Sequence, residues 1–273
     1  MARGLQSRPS HSWQIDFTGE TMLKSVKTLM AATAMSVAFA AVPAYADDEP
    51  ASDFTITGSA AVTTQYRLRG ISQTDNDAAI QGGLTVAHSS GFYVGTWASN
   101  LGGYGTFGGS NMELDAIAGI SKTVGGVTLD GGAVYYLYPG TSGHDYFEVY
   151  GSASGKLGPV NAKLGTYWAP KQSNIGGHNI WVYTDLGLPV EGTPLTLKAH
   201  AGYSSGNSGY THGKDVFDYS IGADIAISKL TLNVSYVGTD VNKTFANANF
   251  GGGSETGHGI TKGNIVATLS AAF

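Results

Sequence analysis

Most of this chain consists of segments in which apolar and polar side chains alternate one by one. Between Phe54 and Leu68 the even-numbered positions are mostly apolar, and between Thr55 and Arg69 the odd-numbered positions are mostly polar. Successive side chains of a β-strand point to opposite faces, so this pattern predicts a strand with one apolar and one polar face. One such strand is equally compatible with a soluble sandwich. No segment shows a sustained helical period.

The same alternation recurs to the end of the chain. It predicts about twelve strands of roughly 9–12 residues, the length with which a strand crosses a bilayer. The predicted strands are 54–69, 79–88, 92–101, 112–120, 127–138, 146–153, 160–168, 179–188, 195–203, 217–227, 230–237 and a terminal segment ending at Phe273.

The connections between these segments alternate between short and long. The short ones are 89–91, 123–126, 155–159, 189–194 and 228–229, and the long ones are 70–78, 100–111, 139–145, 169–178, 204–214 and 239–259. Outer-membrane barrels combine short periplasmic turns, longer extracellular loops and an even strand number. The sequence therefore predicts an all-β fold, a transmembrane antiparallel up-and-down β-barrel over 54–273, with both termini in the periplasm. Such a closed sheet leaves no unpaired edge.

The composition agrees with a wall that faces lipid on one side and water on the other. Charged residues make up 13% of the 273 residues, and the mean hydropathy is −0.04. Cysteine is absent, which excludes a disulfide scaffold, a cysteine-ligated metal site and a thiol nucleophile. The formal net charge of −5 gives no reason to expect nucleic acid as a partner.

Residues 22–46 have the layout of a secretory signal peptide. Lys24 and Lys27 form a basic start, an apolar stretch follows, and Ala-Tyr-Ala at 44–46 is a small-residue cleavage site. The apolar stretch is shorter than the about 20 residues that span a bilayer. We therefore expect cleavage between Ala46 and Asp47.

Two further segments flank this signal peptide, residues 1–21 before it and residues 47–53 after it. Residues 1–21 are polar and aperiodic, and Met22 alone would start a signal of normal length. We interpret 1–21 as an upstream extension from a misassigned start codon, the alternative being an unusually long basic region. Residues 47–53 form a short acidic, periplasmic lead-in to the barrel.

The last strand carries a feature typical of outer-membrane barrels. The chain stops on Phe273, which follows Ile265, Ala267, Leu269 and Ala271 on the same strand face. A terminal aromatic residue on an amphipathic last strand is the signature that the barrel assembly machinery reads. We therefore predict Phe273 as an assembly signal, the outer membrane of a Gram-negative bacterium as the location, and outer-membrane lipid and this machinery as partners.

Several sequence blocks have a recognisable order and spacing. They read YRLRGISQT at 66–74, AIQGG at 79–83, SGFYVGTWASN at 90–100, ExD at 113–115, LYPG at 137–140 and YFEVY at 146–150. These blocks resemble the TorF-type porin family, also described as the conserved family Gcw_chp, over about residues 54–273. Leu68 departs from the pattern, where an aromatic residue is expected. The resemblance implies an outer-membrane β-barrel acting as a porin, and it implies no particular substrate.

The alternation places ionisable side chains of both signs on the lumen face. Arg67, Arg69, Glu113, Asp115 and Glu148 share one depth near the extracellular strand ends. One hypothesis is a charged constriction whose transverse field orders permeating solutes. The alternative is a neutral network that fills the lumen as a core. Other charges expected to face the lumen are Asp130, Lys163, Asp185, Lys198, His200, Asp218, Asp224 and Lys262.

Aromatic residues fall on both faces of the predicted wall. Those at strand ends are typical of interfacial girdles, with ordinary packing as the alternative for each of them, namely Phe54, Tyr66, Trp168 and Tyr203. Four others share the polar face and either fill the lumen, which we favour, or form a slide for sugars or nucleosides: Tyr93, Trp97, Trp181 and Tyr183.

No motif predicts a cofactor, a metal or a catalytic group. The glycine pattern at 103–108 lies in a long loop and does not open a helix, as a dinucleotide site requires. Asp75-Asn76-Asp77 offers too few ligands for an EF-hand loop, and a solvated turn is expected there.

Three functions are weighed on these grounds. The first is a channel for passive diffusion of ions or small polar solutes, without a cofactor or enzymatic activity. The second is a structural or adhesive barrel that acts through its loops, of which 239–259 is the longest. The third is an outer-membrane enzyme, for which the alternation places no convincing Ser/His or acid pair at a rim. The solute, the oligomeric state and an open or filled lumen remain alternatives at this point.

Overall fold

A computed structural model describes residues 52–273 of the chain. The predicted extension 1–21, the predicted signal peptide 22–46 and its cleavage between Ala46 and Asp47 lie outside the described residues, as does most of the lead-in.

Fourteen strands are present in the described part of the chain, and all but two short ones are long enough to build a barrel wall. The wall strands are β1 (Phe54–Thr63), β4 (Ala79–His88), β5 (Phe92–Asn100), β6 (Met112–Val124), β7 (Val127–Leu137), β8 (Tyr146–Leu157), β9 (Val160–Ala169), β10 (Asn179–Pro189), β11 (Leu195–Gly206), β12 (Val216–Ile227), β13 (Leu230–Thr239) and β14 (Asn264–Ala272). The short strands are β2 (Arg67–Leu68) and β3 (Ile71–Ser72).

The twelve wall strands form one closed antiparallel barrel. Each strand from β4 to β14 pairs with the next, and β1 closes the ring between β4 and β14. At the closure, Val62 lies opposite Ile80 on one side and opposite Leu269 on the other. Closure pairs the backbone N–H and C=O groups of the wall and leaves no sheet edge. The predicted fold class and strand number are confirmed.

The outer face of the wall is apolar, as the alternation predicts. Large aliphatic side chains on it are well exposed, with Ile80 at 73%, Ile221 at 67% and Leu164 at 60% of their full surface. Phe54, Trp168 and Tyr203 also lie on this face, each about half exposed. A continuous exposed apolar surface of this extent on a closed barrel is typical of a lipid-facing wall.

The two ends of the barrel differ sharply. The end that holds both termini carries the five short turns, at 89–91, 125–126, 158–159, 190–194 and 228–229. We call it the turn end. The opposite end, the loop end, carries six long connections, at 64–78, 101–111, 138–145, 170–178, 207–215 and 240–263. The predicted alternation of short and long connections is confirmed.

The last loop contains two short helices that the sequence analysis did not predict, α1 (Lys243–Asn249) and α2 (Gly257–Thr261). Each begins with a side-chain cap, from Asn242 and Thr256, which accept hydrogen bonds from Phe245 N and Gly259 N. Among the described residues, no helix combines the length and apolarity needed to cross a membrane.

The terminal residue completes the seam of the barrel. Phe273 N donates to Gly58 O at 3.0 Å, and Gly58 N donates to Phe273 O at 2.6 Å. The ring of Phe273 lies over Gly58, since a Cβ on that glycine would come within 2.4 Å of the ring. The C-terminal aromatic residue is therefore part of the wall and contacts the first strand.

Candidate functional site

The first long loop folds into the barrel. The expectation that the first strand runs to Arg69 is wrong, because β1 ends at Thr63, which lies directly opposite Ala79 of β4. The intervening residues 64–78, here called the plug segment, contain the β2–β3 hairpin. Its two-residue turn is Arg69-Gly70, with φ of +50° and +79°, the conformation of a type I′ turn.

The plug segment contacts wall strands on different sides of the lumen. Tyr66 OH donates to Glu113 of β6 at 3.1 Å, and the Tyr66 ring lies 5.3 Å from the ring of Trp97 on β5. Gly70 abuts Thr239 of β13. The segment therefore crosses the interior near the loop end. Tyr66 is 5% exposed, so its prediction as an interfacial girdle residue is wrong.

A buried ion pair fixes the tip of the hairpin. Arg69 Nη2 donates to Glu148 Oε2 at 2.6 Å and Oε1 at 2.8 Å, and the two side chains are 3% and 0% exposed. Tyr136 OH donates to the same carboxylate at 2.9 Å. Burial alone would lower the pKa of Arg69, but the facing Glu148 holds it above its ordinary value, so the guanidinium stays charged.

Aromatic rings enclose this guanidinium. Its carbon atom lies 4.4 Å from the ring centre of Tyr210 and 5.1 Å from that of Trp181. Tyr146 stacks on Tyr136 with ring centres 4.5 Å apart, and its hydroxyl hydrogen-bonds that of Tyr210. The loop half of the lumen is therefore packed as a polar and aromatic core. This packing resembles the alternative in which side chains fill the lumen as a core.

Four of the five predicted constriction residues come together in this core. Glu113 and Asp115 on β6 are 0% and 1% exposed, and Asp115 interacts electrostatically with both Glu113 and Glu148. Three carboxylates thus lie in this core, and the one that the guanidinium of Arg69 contacts is Glu148. Among the described residues, Glu113 Oε2 and Asp115 Oδ1 have no hydrogen-bond partner.

Arg67, the fifth predicted residue, has a different role. Its guanidinium donates to Gln65 Oε1 at 2.7 Å, to Asn76 Oδ1 at 3.2 Å and to the carbonyl oxygens of Gly70 and Lys262 at 2.7 and 3.0 Å. Burial lowers the pKa of Arg67 to about 10. This residue ties the plug hairpin to the last loop and faces no carboxylate in these contacts.

Most other predicted lumen charges point inward and are paired. His200 lies between Asp185 and Asp218, with nitrogen–oxygen distances of 2.6 and 2.9 Å. Lys198 Nζ lies 3.8 Å from Asp224 Oδ2. Within the described chain, no group of three or more His, Cys, Asp or Glu side chains is arranged to hold a metal ion.

Lys262 is the exception to the predicted lumen face. It lies between α2 and β14, outside the wall strands, and its side chain is exposed. The alternation that we extended through the terminal segment starts only at Asn264, since the preceding residues belong to the loop.

The long loops pack against the plug segment and form a cap. Asp75 is 8% exposed and accepts from Ser254 N at 2.6 Å, Ser254 Oγ at 2.7 Å and Glu255 N at 3.1 Å. The expectation of a solvated turn is therefore wrong for Asp75, because its carboxylate is buried and joins the first loop to the last. An apolar cluster supports the cap, comprising Ile71, Val216, Val241, Ala246, Phe250 and Ile260.

Below this packed half, a cavity remains in the lumen. The space in it that the centre of a water molecule can occupy is about 20 Å³, which is room for about one water molecule. Asp115 and Tyr136 line its inner end and so separate it from the Arg69–Glu148 pair. Asp130 and Lys163, both predicted to face the lumen, line it as well. We call it the vestibule.

Tyr210 and the inward position of Tyr66 are not predicted by the sequence pattern. Tyr210 lies in a loop between β11 and β12, where no alternation exists to indicate its direction. Burial raises the pKa of Tyr210, as do the nearby carboxylates of Glu113 and Asp115, whereas Arg69 acts in the opposite sense. Its hydroxyl therefore stays protonated in the core.

Comparison with known proteins identifies a family and a fold. The family described as "Bacterial protein of unknown function (Gcw_chp)" matches residues 47–273. The solved structure of the KdgM porin aligns with a TM-score of 0.51 at 8% identity, over 80% of this chain and 99% of that chain. The COG4313 outer membrane channel from Pseudomonas putida F1 aligns with a TM-score of 0.45 at 10% identity, over 83% and 99% of the two chains. The search of curated proteins found no match.

Proposed function

Because the chain belongs to the Gcw_chp family of bacterial proteins and folds as a closed 12-stranded barrel, we propose that it is an outer-membrane channel for passive diffusion of ions or small polar solutes. The observation that carries the proposal is that apolar and ionisable side chains lie on opposite faces of the barrel wall. The outer face is apolar and exposed, and the ionisable side chains of the wall interior face the lumen. This is the arrangement that a water-containing pore in lipid requires.

The proposal includes a route to the membrane. The signal peptide 22–46 directs export, and cleavage leaves Asp47 at the periplasmic N-terminus. Phe273 at the seam serves as the signal for the barrel assembly machinery. The loop end then faces the cell exterior, and the turn end faces the periplasm. The protein acts as a channel of the TorF type and not as an enzyme.

In the loop half of the lumen, packed side chains block the path that a solute would take through the barrel. The plug segment and the surrounding aromatic core occupy the lumen near Arg69 and Glu148. Solutes larger than water therefore pass only when the plug segment shifts away from the wall. The described arrangement is the closed form of the proposed channel.

Single-channel recording of the purified protein in a planar bilayer tests the proposal. Discrete, reproducible conductance steps are expected, with long closed periods because the plug segment is well packed. A folded, heat-modifiable barrel that gives no steps at any voltage, and none after the plug segment is removed, would contradict the channel function.

A second function is favoured by the cap. The last loop is held by Asp75 and by the buried residues Phe250 and Ile260, so it presents an ordered surface at the loop end. A non-transport barrel acting through such a surface would bind a partner there. Deleting the tip of this loop separates the two functions, because an adhesive barrel would lose its partner whereas a channel would keep conducting.

A further inference from the structure

The lumen face of the barrel wall carries more acidic than basic side chains. Among the residues that the structure describes, the acidic ones are Glu113, Asp115, Asp130, Glu148, Asp185, Asp218 and Asp224, and the basic ones are Lys163, Lys198 and His200. Lys156 lies at the rim of the turn end and is exposed. The interior of the wall is therefore negatively charged overall.

The cation that balances part of this charge near the loop end belongs to the plug segment and not to the wall. Arg69 Nη2 lies 2.6 and 2.8 Å from the two carboxylate oxygens of Glu148. Glu148 on β8, together with Glu113 and Asp115 on β6, forms a group that we call the carboxylate cluster. A guanidinium on a loop can leave the lumen with that loop, whereas carboxylates on wall strands stay in place.

The carboxylate cluster is poorly satisfied while the plug segment is in place. Glu113 Oε2 and Asp115 Oδ1 are buried and have no hydrogen-bond partner among the described residues. A buried carboxylate oxygen without a donor or a cation is costly, so these acidic residues do not serve the stability of the closed core. The vestibule beside Asp115 has room for about one water molecule and holds no solute in this form. Water in an open lumen would solvate both carboxylates, and the cluster therefore suits the open form.

The opposite side of the wall offers no charge that could balance the cluster. Strands β13, β14, β1, β4 and β5, as the structure describes them, contain no Lys, Arg, Asp or Glu. Their lumen-facing positions carry hydroxyl groups, such as those of Thr63, Thr85, Ser99 and Ser235. Hydroxyl groups hydrogen-bond water and carry no net charge. A solute in the open lumen would therefore pass between a neutral polar side and the carboxylate cluster.

We infer that the open form of the channel is selective for cations, because withdrawal of the plug segment takes Arg69 away from Glu148 and leaves the carboxylate cluster facing water in the pore. The inference rests on the proposed channel function and names the charge of the solute. Carboxylates on the wall of a narrow pore raise the local concentration of cations and repel anions. The plug segment is then both the barrier and the carrier of the counter-charge. A solute that passed beside a plug segment still in place would meet Glu148 paired with Arg69, and the preference for cations would be lost.

The reversal potential of the purified full-length protein in a planar bilayer tests this inference, with potassium chloride at about tenfold different concentrations on the two sides. We expect the permeability of potassium to be about fivefold that of chloride. This preference should fall as the salt concentration rises, because salt screens the carboxylates. A permeability ratio of about one, or a preference for chloride, would overturn the inference.

A double variant locates the selectivity in the carboxylate cluster. Glu113→Gln/Asp115→Asn keeps the shape of both side chains, removes their negative charges and should lower the permeability ratio about twofold or more. Asp215→Asn is the matched control, because Asp215 is exposed in a loop and its carboxylate accepts a hydrogen bond from Tyr203 on the outer face. The control should leave the ratio unchanged. An unchanged ratio in the double variant would contradict the role of the cluster.

Replacing the plug segment supplies an independent test in case the double variant does not fold. Thr63 and Ala79 are directly paired, so a short glycine-rich turn can replace residues 64–78, combined with Glu148→Gln. This chain lacks Arg69 but retains Glu113 and Asp115, and it should still prefer potassium over chloride about threefold or more. A conducting pore without this preference refutes the inference alone. A folded barrel that stays silent both with and without the plug segment refutes the channel function as well.

Discussion

Gly70 occupies a position where both backbone conformation and space exclude other residues. Its φ is +79°, and a Cβ would lie 2.6 Å from Thr239 Cγ2 and 2.7 Å from the carbonyl oxygen of Gly238. Gly140 has a similar φ of +90° but has no atom within 4 Å of a built Cβ. An alanine at Gly140 therefore measures the free-energy cost of the backbone conformation alone, and an alanine at Gly70 measures that cost together with the cost of the clash.

Gly70→Ala is expected to destabilise the barrel more than Gly140→Ala. Both variants force an alanine into a left-handed conformation, which costs about 1 kcal/mol. Only Gly70→Ala also pushes the plug hairpin off β13, which adds about 1–3 kcal/mol of overpacking. Urea unfolding in detergent or lipid measures the difference. Equal losses of stability for the two variants would show that the hairpin tip is not packed against the wall.

Arg69 and Glu148 form a buried ion pair, and each charge depends on the other for compensation. Arg69→Met leaves the buried Glu148 without its cation, and breaking one partner of a buried pair costs about 3–5 kcal/mol. The double variant Arg69→Met/Glu148→Met removes both charges and should recover most of that loss. Urea unfolding of the two single variants and the double variant gives the coupling energy. Additive losses would mean that the two side chains do not depend on each other.

At the scale of elements, the alternation of side chains predicted the wall strands but not where the first one leaves the wall. The pattern continues past Thr63, with Tyr66 and Leu68 at even-numbered positions and Arg67 and Arg69 at odd-numbered ones. In the structure both sets are buried, because the β2–β3 hairpin is enclosed by the lumen on all sides. A period of two identifies an extended chain, but it does not tell a lipid-facing side chain from one facing a packed interior.

In the candidate site, too, the alternation of side chains is informative only for residues on wall strands. The parity of the strands directs Glu113, Asp115 and Glu148 inward, because wall strands have only two faces, and all three side chains are buried. It offered no information on Tyr210 or on Asp75, which lie in loops and whose contacts depend on how distant loops pack. Pairing between residues such as Asp75 and Ser254 has no local signal in the chain.

The contact of Asp75 with the last loop gives a prediction for the cap. Asp75→Ala removes the acceptor of three hydrogen bonds from Ser254 and Glu255. Hydrogen bonds to a charged group contribute about 1.5–3 kcal/mol each before compensation by water, so the last loop should open more often. Limited proteolysis should cleave between residues 250 and 256 at least tenfold faster. Asp77→Ala, an exposed neighbour in the same segment, should leave the cleavage rate unchanged.

At the scale of the whole molecule, the lumen has two halves with different properties. The loop half is filled by the plug segment, the Arg69–Glu148 pair and stacked tyrosines. The turn half retains the vestibule, with Asp115 at its inner end. A barrel of twelve strands lies between the small barrels that side chains fill and the large ones that hold water. This chain combines both solutions along one axis.

Removing the plug segment should therefore convert the closed barrel into an open pore. Thr63 and Ala79 are directly paired, so a short glycine-rich turn can replace residues 64–78 without changing the wall register. Glu148→Gln is combined with this deletion, because the carboxylate would otherwise lose Arg69. We expect single-channel conductance at least several-fold above that of the intact protein, and nearly constant opening.

A deletion at another loop controls for damage to the loop end. Residues 140–143 form the tip of the connection between β7 and β8, and both of its glycines have open space around them. Shortening this tip should leave conductance unchanged, because it does not enter the lumen. If the intact protein conducts and the plug deletion leaves its conductance unchanged while the barrel stays folded, the plug segment is not the barrier. The barrier then lies in the ring of tyrosines around Tyr136 and Tyr146, whose side chains belong to the wall and cannot move away with a loop.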